Sequence, residues 1–301
     1  MAVLLGDWGT SSLRAWVIGP DGDVLAFRRF PLGVGALGPG EAAARFEDDV
    51  RPALEARGMP ALLSGMIGSN LGWAAAGYVD CPISLDVIAK SLTSAAPGVR
   101  IVPGLRCAGL AGPDVMRGEE TQLVGWLVGE PARGSGRRLV CLPGTHAKWV
   151  RMVDGRVEGF ITAMTGELYA LLNAHGTLRF SHGPGDAAVN DAEAFDQGLE
   201  AAGDGGALAA RLFSVRGRIV AGELAPNGSA AYLSGLLIGA EVAGLHPLMG
   251  AWTDAPVDLV GDAALCAWYA RAFDKRGVAT RFADGEAVAL AGLREIWRLA
   301  G

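Results

Sequence analysis

Val3-Leu4-Leu5-Gly6-Asp7-Trp8-Gly9-Thr10-Ser11-Ser12-Leu13-Arg14-Ala15-Trp16-Val17-Ile18 reads as an apolar strand, a tight Gly-Thr turn and a second strand. An Asp21-Gly22 turn then leads into a third strand from Val24 to Phe30. The pattern returns later. Leu139-Val140-Cys141-Leu142-Pro143-Gly144-Thr145-His146-Ala147-Lys148-Trp149-Val150 is followed by Asp154-Gly155 and a strand from Val157 to Ile161. Two matching strand triplets predict two similar domains facing each other, each with a Gly-Thr turn that can grip the phosphates of one nucleotide. Glycine at positions 9 and 144 lets backbone approach a ligand and tolerates positive φ. Exposed turn N–H groups form an anion-binding concavity, and Thr10, Ser11, Ser12 and Thr145 add hydroxyl donors. Asp7 ends a strand beside this cradle, where phosphate would repel a carboxylate unless it held a cation. Magnesium takes oxygen ligands and keeps waters between itself and protein carboxylates. Either triplet alone reads as an ordinary hairpin; the pair, with Asp7 in the first, turns the reading towards phosphate.

The chain has 301 residues, 50% of them hydrophobic, which gives room for one large or two modest domains. A net charge of −6 argues against a general nucleic-acid footprint. Cys81, Cys107, Cys141 and Cys266 lack paired metal spacing, as do the four histidines; three of the cysteines sit in apolar contexts and read as reduced core residues of a cytoplasmic protein. Strand-like residues begin at Ala2 with no basic segment before them, so no signal peptide is expected. The richest apolar stretch, Leu233 to Ala240, is broken by Gly235 and Gly239 and ends at Glu241, so no membrane partner is expected either. The 45 glycines fit close helix–sheet packing and fit a GC-rich genome equally well.

Along the chain, a helix is predicted from Glu41 to about Arg57, opened by Gly40 and ended by Gly58. Ala61 to Met66 reads as a buried strand opening into a glycine-rich loop, Gly65 to Trp73, and Ile101 to Pro103 as another strand. Gly104 to Gly118 reads as irregular, with Pro113-Asp114 as a turn. Helices are predicted at Glu119 to Val128, Gly166 to about Ala174, Asp191 to Ala202, Ala207 to Val215, and Ala230 to Leu245; Thr165-Gly166-Glu167 reads as a capped helix start in preference to a substrate wall. Val257 to Val260 is a buried strand ending at Gly261-Asp262, followed by a helix to Lys275, a short strand at Thr280 to Phe282 and a last helix, Glu286 to Leu299. Strand triplets followed by alternating helices and strands imply an α/β fold with mixed sheets.

Three stretches carry candidate chemistry besides the turns. Arg117-Gly118-Glu119-Glu120-Thr121-Gln122 stands at a loop-to-helix junction. Acids in a first helical turn suit the helix dipole, which accounts for one of the pair. The other, Glu120, is the candidate general base on a substrate hydroxyl. Gly261-Asp262 reads either as a helix cap or as clearance for an adenosine ring. Ser69 and Asn70 in the glycine-rich loop, with Arg14 and Lys148, are candidate donors to an acidic substrate.

These pieces, in this order, resemble the sugar kinases of the actin–hexokinase–Hsp70 superfamily. The first Gly-Thr hairpin resembles the phosphate 1 motif, Pro143-Gly144-Thr145 the phosphate 2 motif, and Val257 to Asp262 the adenosine motif. Closer still, Gly6 to Arg14, Ser64 to Ser69, Arg117 to Gln122 and Leu142 to Trp149 resemble the 2-dehydro-3-deoxygalactonokinase family. The resemblance implies two ribonuclease-H-like domains of the actin-like ATPase class around a central cleft, divided here as residues 1–117 (phosphate 1 and sugar acid) and 118–301 (phosphate 2 and adenosine), with the last helix returning to the first domain left open. It implies ATP-dependent phosphorylation of 2-dehydro-3-deoxy-galactonate on its C6 hydroxyl, with ATP and Mg²⁺ as cofactors. Asp7 then holds the metal, Gly9, Thr10, Ser11, Ser12, Gly144, Thr145, Gly261 and Asp262 hold the nucleotide, and Glu120 is the base. Many related kinases carry Asp at the base position, and the phosphate 2 turn here has Pro143 instead of an acidic residue, which leaves the metal mainly to Asp7 and the nucleotide. Partners are then a sugar acid and ATP, with no nucleic acid, no membrane, and a homodimer left open. The rivals are another sugar or sugar-acid kinase of the superfamily and a non-enzymatic nucleotide switch of the Hsp70 or actin kind.

Overall fold

The computed structural model describes residues 1–175, 178, 191–249 and 255–301. Its strands and helices fall into two compact units: Met1–Gly136 with Met152–Phe160 and Ala283–Gly301, and Arg137–Arg151 with Ile161–Phe282. Both are α/β with mixed sheets.

In the first unit, β1 (Val3–Trp8), β2 (Leu13–Ile18) and β3 (Val24–Phe30) form the antiparallel triplet read from the sequence. The register sets Asp7 opposite Arg14, and the Gly9 N–H donates to the Ser12 carbonyl at 2.9 Å to close the turn. The helical segment after it runs as α1 (Glu41–Arg45), a π turn (Phe46–Val50) and α2 (Arg51–Ala53). Phe46 in that π turn packs against Trp8 and Trp73 in the core beneath the sheet. β4 (Ala61–Ser64) runs parallel to β1, and the short strands β5 (Tyr78–Asp80) and β6 (Ile83–Ser84) precede α3 (Asp86–Lys90). β7 (Thr93–Ala96) and β8 (Val99–Ile101) complete a six-stranded sheet in the order β3-β2-β1-β4-β8-β7.

The stretch expected to be irregular is a hairpin instead: β9 (Gly104–Ala108) and β10 (Pro113–Met116) pair antiparallel, beside β5. The turn lies at Gly109–Gly112, not at Pro113-Asp114. Proline is tolerated there because it opens an edge strand, where its missing N–H breaks no ladder. α4 (Glu119–Val128) then crosses the C-terminal helix inside the same unit.

The second triplet is β11 (Arg137–Leu142), β12 (Ala147–Val153) and β13 (Arg156–Ala163), and the far end of the β12–β13 hairpin is counted with the first unit. The second unit continues with α5 (Thr165–Ala174), α6 (Ala192–Ala202), α7 (Leu208–Leu212), α8 (Ser214–Val220) and the long α9 (Ser229–Met249). β14 (Val257–Gly261) runs parallel to β11, α10 (Ala263–Asp274) follows, and β15 (Thr280–Asp284) leads to α11 (Gly285–Leu299).

Two results differ from expectation. The compact units do not divide at residue 117: α4 and α11 both lie in the first unit, where they pack side by side. The glycines explain how closely. A Cβ on Gly125 would sit 1.8 Å from the Val288 carbonyl, and one on Gly292 would sit 1.9 Å from the Thr121 carbonyl. The second unit repeats the device between α6 and α9, where Gly198 and Gly235 leave 2.1 and 2.0 Å to the carbonyls of Tyr232 and Phe195. Glycine here serves helix–helix crossings more than helix–sheet contact. Second, α9 lies in the one segment among the described residues, Pro226–Met249, that is long and apolar enough to cross a membrane. Of its most apolar window, 89% is buried inside the unit, as in the core helix of a folded domain.

Candidate active site

The first unit gathers acidic groups around bare backbone. Asp7, at the end of β1, is paired through one oxygen with Arg14. Arg14 also reaches Glu286 at the start of α11 (3.5 Å), and Arg29 reaches Glu286 at 2.5 Å. Arg14, a candidate substrate donor by sequence, therefore stands as counter-ion to two carboxylates. The other Asp7 oxygen faces Gly65, where a Cβ would sit 3.3 Å from it and 2.7 Å from the Trp8 carbonyl. Gly65 takes a φ of +89° to turn the chain off β4, a conformation that favours glycine. Gly118, at φ +105°, abuts Gly65, with 3.4 Å between a built Cβ and the Gly65 Cα.

Gly118 caps α4, and the two acids of that first turn fold back on the loop. Glu119 accepts from the Arg117 N–H at 3.0 Å. Glu120 accepts from the Gly118 N–H at 2.7 Å and from the Thr121 hydroxyl at 3.2 Å. Glu120 is fully buried, Glu119 only half so. Burial first, and the Glu119 charge second, push the Glu120 carboxyl up to about 8; the Gly118 N–H and Arg117 pull the other way. Arg117 lies over the Tyr78 ring and donates to the Gly77 carbonyl at 2.8 Å, while its Nε and Nη1 are buried with no partner. Ser69 accepts from the Leu71 N–H, and Asn70 is exposed.

The second unit is built of hydroxyls and apolar walls. A cavity of about 440 Å³ opens beside Gly144 and Thr145. Thr165, Tyr169, Ser234, Trp268 and Tyr269 are among the residues that line it. α5 is docked on the turn: the Glu167 N–H donates to the Thr145 carbonyl at 2.9 Å, and a Cβ on Gly166 would sit 2.4 Å from the Gly144 carbonyl. His146 pairs with Glu167 at 2.5 Å.

Several candidates look different in three dimensions. Neither Gly9 nor Gly144 has positive φ, and a Cβ would meet nothing within 4 Å at Gly144 and only an ordinary 3.6 Å contact at Gly9. These glycines leave open space and relieve no strain. Thr10, Ser11 and Thr145 are exposed, Ser12 half-buried. Thr165 is not the cap of α5: Met164 holds that position, and Thr165 is the first helical residue, buried with its hydroxyl hydrogen-bonded to Glu241. Asp262 is the cap of α10, accepting from the Leu265 N–H at 3.0 Å. Neither Gly261 nor Asp262 is among the residues lining the cavity; Ala264 and Leu265, one turn on, are. Lys148 is buried and donates to the His146 carbonyl at 3.1 Å, which makes it a support of the turn. Sequence reasoning missed Tyr169, Ser234, Trp268, Tyr269, Glu241 and Glu286. Only Glu241 carried a signal, as a lone charge in an apolar helix.

No group of three His, Cys, Asp or Glu side chains among the described residues could cage a metal. One carboxylate oxygen beside open backbone fits a magnesium ion that is carried chiefly by nucleotide phosphates.

Comparison with known proteins follows the same lines. The family model described as 2-keto-3-deoxy-galactonokinase matches residues 7–296. A Rhizobium meliloti (strain 1021) protein assigned as a 2-dehydro-3-deoxygalactonokinase is 40% identical over 303 residues, covering 97% of both chains. The 2-dehydro-3-deoxygalactonokinase of Escherichia coli (strain K12) is 36% identical over 290 residues, covering 96% of this chain and 95% of that one. A crystal structure of a Sinorhizobium meliloti protein assigned to the same activity superposes with a TM-score of 0.87 at 39% identity, over 98% of each chain. Component A of the Acidaminococcus fermentans (R)-2-hydroxyglutaryl-CoA dehydratase shares the fold at 12% identity, with a TM-score of 0.54 over the whole of both chains. A match over this length, at these identities, decides membership: the chain belongs to the 2-keto-3-deoxy-galactonokinase family.

Proposed function

We propose that the protein transfers the γ-phosphoryl group of ATP to the C6 hydroxyl of 2-dehydro-3-deoxy-galactonate, a phosphotransferase reaction with an alcohol as acceptor. Family membership supports the reaction. The observation that carries its chemistry is the pair of carboxylates on glycine backbone in the first unit: Asp7 beside Gly65, and Glu120 beside Gly118, which itself abuts Gly65. In the second unit, the 440 Å³ cavity next to Gly144 and Thr145 has the size and lining for a nucleoside, with Trp268 and Tyr169 as apolar walls.

The bond that forms joins the sugar oxygen to phosphorus; the bond that breaks leaves ADP. Little covalent help is needed, so the protein's share is positioning and charge. Glu120 takes the hydroxyl proton. Its raised pKa makes it a stronger base than an ordinary carboxylate, and it must shed its own proton first, so activity rises with pH towards about 8. Arg14 orients Asp7, and Glu286 holds Arg14 from its far side. Magnesium, when bound, neutralises phosphate charge as phosphorus moves; Asp7 would hold it. Thr10, Ser11 and Thr145, exposed in their turns, donate to phosphate oxygens. Ser69 and Asn70 are the proposed contacts to the sugar acid, in the loop after Gly65.

The test is a coupled ADP-release assay with ATP and a panel of 2-keto-3-deoxy sugar acids. ADP release should depend strongly on the galactonate-derived acid. Slow hydrolysis that ignores every sugar acid would overturn the kinase reading in favour of a nucleotide switch.

A further inference from the structure

Glu241 is a carboxylate in the middle of α9, the most apolar helix of the chain, and only 7% of the residue is exposed. Three donors converge on it from three other elements. Trp149 of β12 donates its indole N–H to one oxygen at 2.6 Å. Tyr269 of α10 donates its hydroxyl to the other at 2.7 Å. The Thr165 hydroxyl, at the start of α5, is also hydrogen-bonded to it. A buried charge is costly unless it is fully bonded, and truncating such a group leaves its partners stranded. This one could be replaced by a leucine in a helix meant only to fill a core.

The donors show what it holds. Thr165 and Tyr269 are two walls of the 440 Å³ cavity. Thr165 also begins α5, whose next two residues lie on the Gly144-Thr145 turn through the close approach at Gly166 and the Glu167 N–H bond to Thr145. The connection runs from the carboxylate through one hydroxyl and one helix start to the turn. The structure assigns Glu241 the role of a positioning residue for the nucleotide half of the site: it fixes Thr165 and Tyr269, and with them the phosphate turn, without touching nucleotide itself. This rests on the reading of the cavity as the nucleotide site.

Both E241Q and T165V keep side-chain volume. E241Q sets an amide N–H₂ against the donors that converge on Glu241, and T165V cuts the link to α5. Each purified, folded variant should raise KM for ATP and the calorimetric Kd for a non-hydrolysable ATP analogue about tenfold, with KM for the sugar acid unchanged. The double variant should do no more than the worse single one, because the two act along one connection. A role in folding alone would lower the yield of active protein and kcat, with KM for ATP unmoved. KM and Kd within twofold of wild type in both variants would overturn the assignment. A264W, which fills the cavity mouth from α10, separates the two claims. If it abolishes analogue binding while E241Q and T165V do not change it, the positioning role fails alone; if it leaves binding unchanged, the cavity reading fails and the role with it.

Discussion

The two strand triplets are alike in backbone and opposite in chemistry. In the first unit, the Gly-Thr turn is backed by charge: Asp7, Arg14, Glu286 and Arg29 form a chain of ion pairs, and Glu120 lies buried beside Gly118. In the second, the turn residues include no carboxylate, and α5 props the turn from behind while the buried Glu241 accepts from Trp149 and Tyr269. Beneath both, a helix pair crosses on opposed glycines. The two frames resemble each other in strand order while the groups they present differ. In the mechanism proposed above, the first carries the base, Glu120, and the carboxylate that would hold a cation, Asp7. The second carries a preformed, mostly apolar cavity.

The largest test of that division is Glu120→Gln. Losing a general base costs about 10²–10⁴-fold in turnover, while binding of an ATP analogue should stay as in wild type. Steady-state kinetics with parallel calorimetry reads both, and turnover within threefold of wild type would remove Glu120 from the mechanism. Asp7→Asn should follow, at about 10²-fold in turnover, with a rise in the magnesium concentration giving half-maximal rate. Near wild-type activity at ordinary magnesium would move the metal away from the first turn. Gly125→Ala and Gly198→Ala probe the shared frame; each forces a methyl into a carbonyl at about 2 Å and should cost about 1–3 kcal/mol in chemical denaturation. If only one does, the two crossings are not equivalent.

Smaller effects sharpen the comparison further. Gly9→Ala and Gly144→Ala face open space, so stability should hold within about 0.5 kcal/mol. KM for ATP should still rise, by about tenfold, if nucleotide fills that space. The smallest signal is thermodynamic. The folded pKa of Glu120 lies above its unfolded value, so the fold favours the protonated form. Wild type should therefore lose stability relative to Glu120→Gln as pH climbs from the ordinary carboxylate range towards about 8, and the difference should level off above that. A flat difference across this window would mean that Glu120 is ionised throughout.

Much of the fold was legible because it is written in local patterns. Alternation, Asp-Gly turns and helix caps located both triplets, α4 and α10, and Asp191, read as the first residue of its helix, is the cap of α6. The short strands β5, β6 and β7 were not legible, being two to four residues long with mixed burial. The return of α11 to the first unit, left open from sequence, rests on contacts with α4 some 160 and more residues away in sequence, which no local window contains; those same contacts hold α4, placed in the second domain by the expected division, in the first unit. At the site, the turns and acids stood out by residue type and spacing. The cavity did not, because Ser234, Trp268 and Tyr269 come from two helices that look, in sequence, like any packed helix. Thr165 was misassigned for a related reason: its partner, Glu241, lies far along the chain.

The glycine crossings have a consequence for how the gene can vary. Every missense change at a glycine codon adds at least one side-chain carbon, so no replacement is smaller than the space available. At Gly125, Gly292, Gly198 and Gly235 that carbon would land about 2 Å from a neighbouring carbonyl oxygen. These four codons have no conservative neighbours, although they encode no functional group. Random mutagenesis scored by activity would mark them as sharply as it marks Asp7, and only a separate reading of soluble protein would tell the two kinds of position apart.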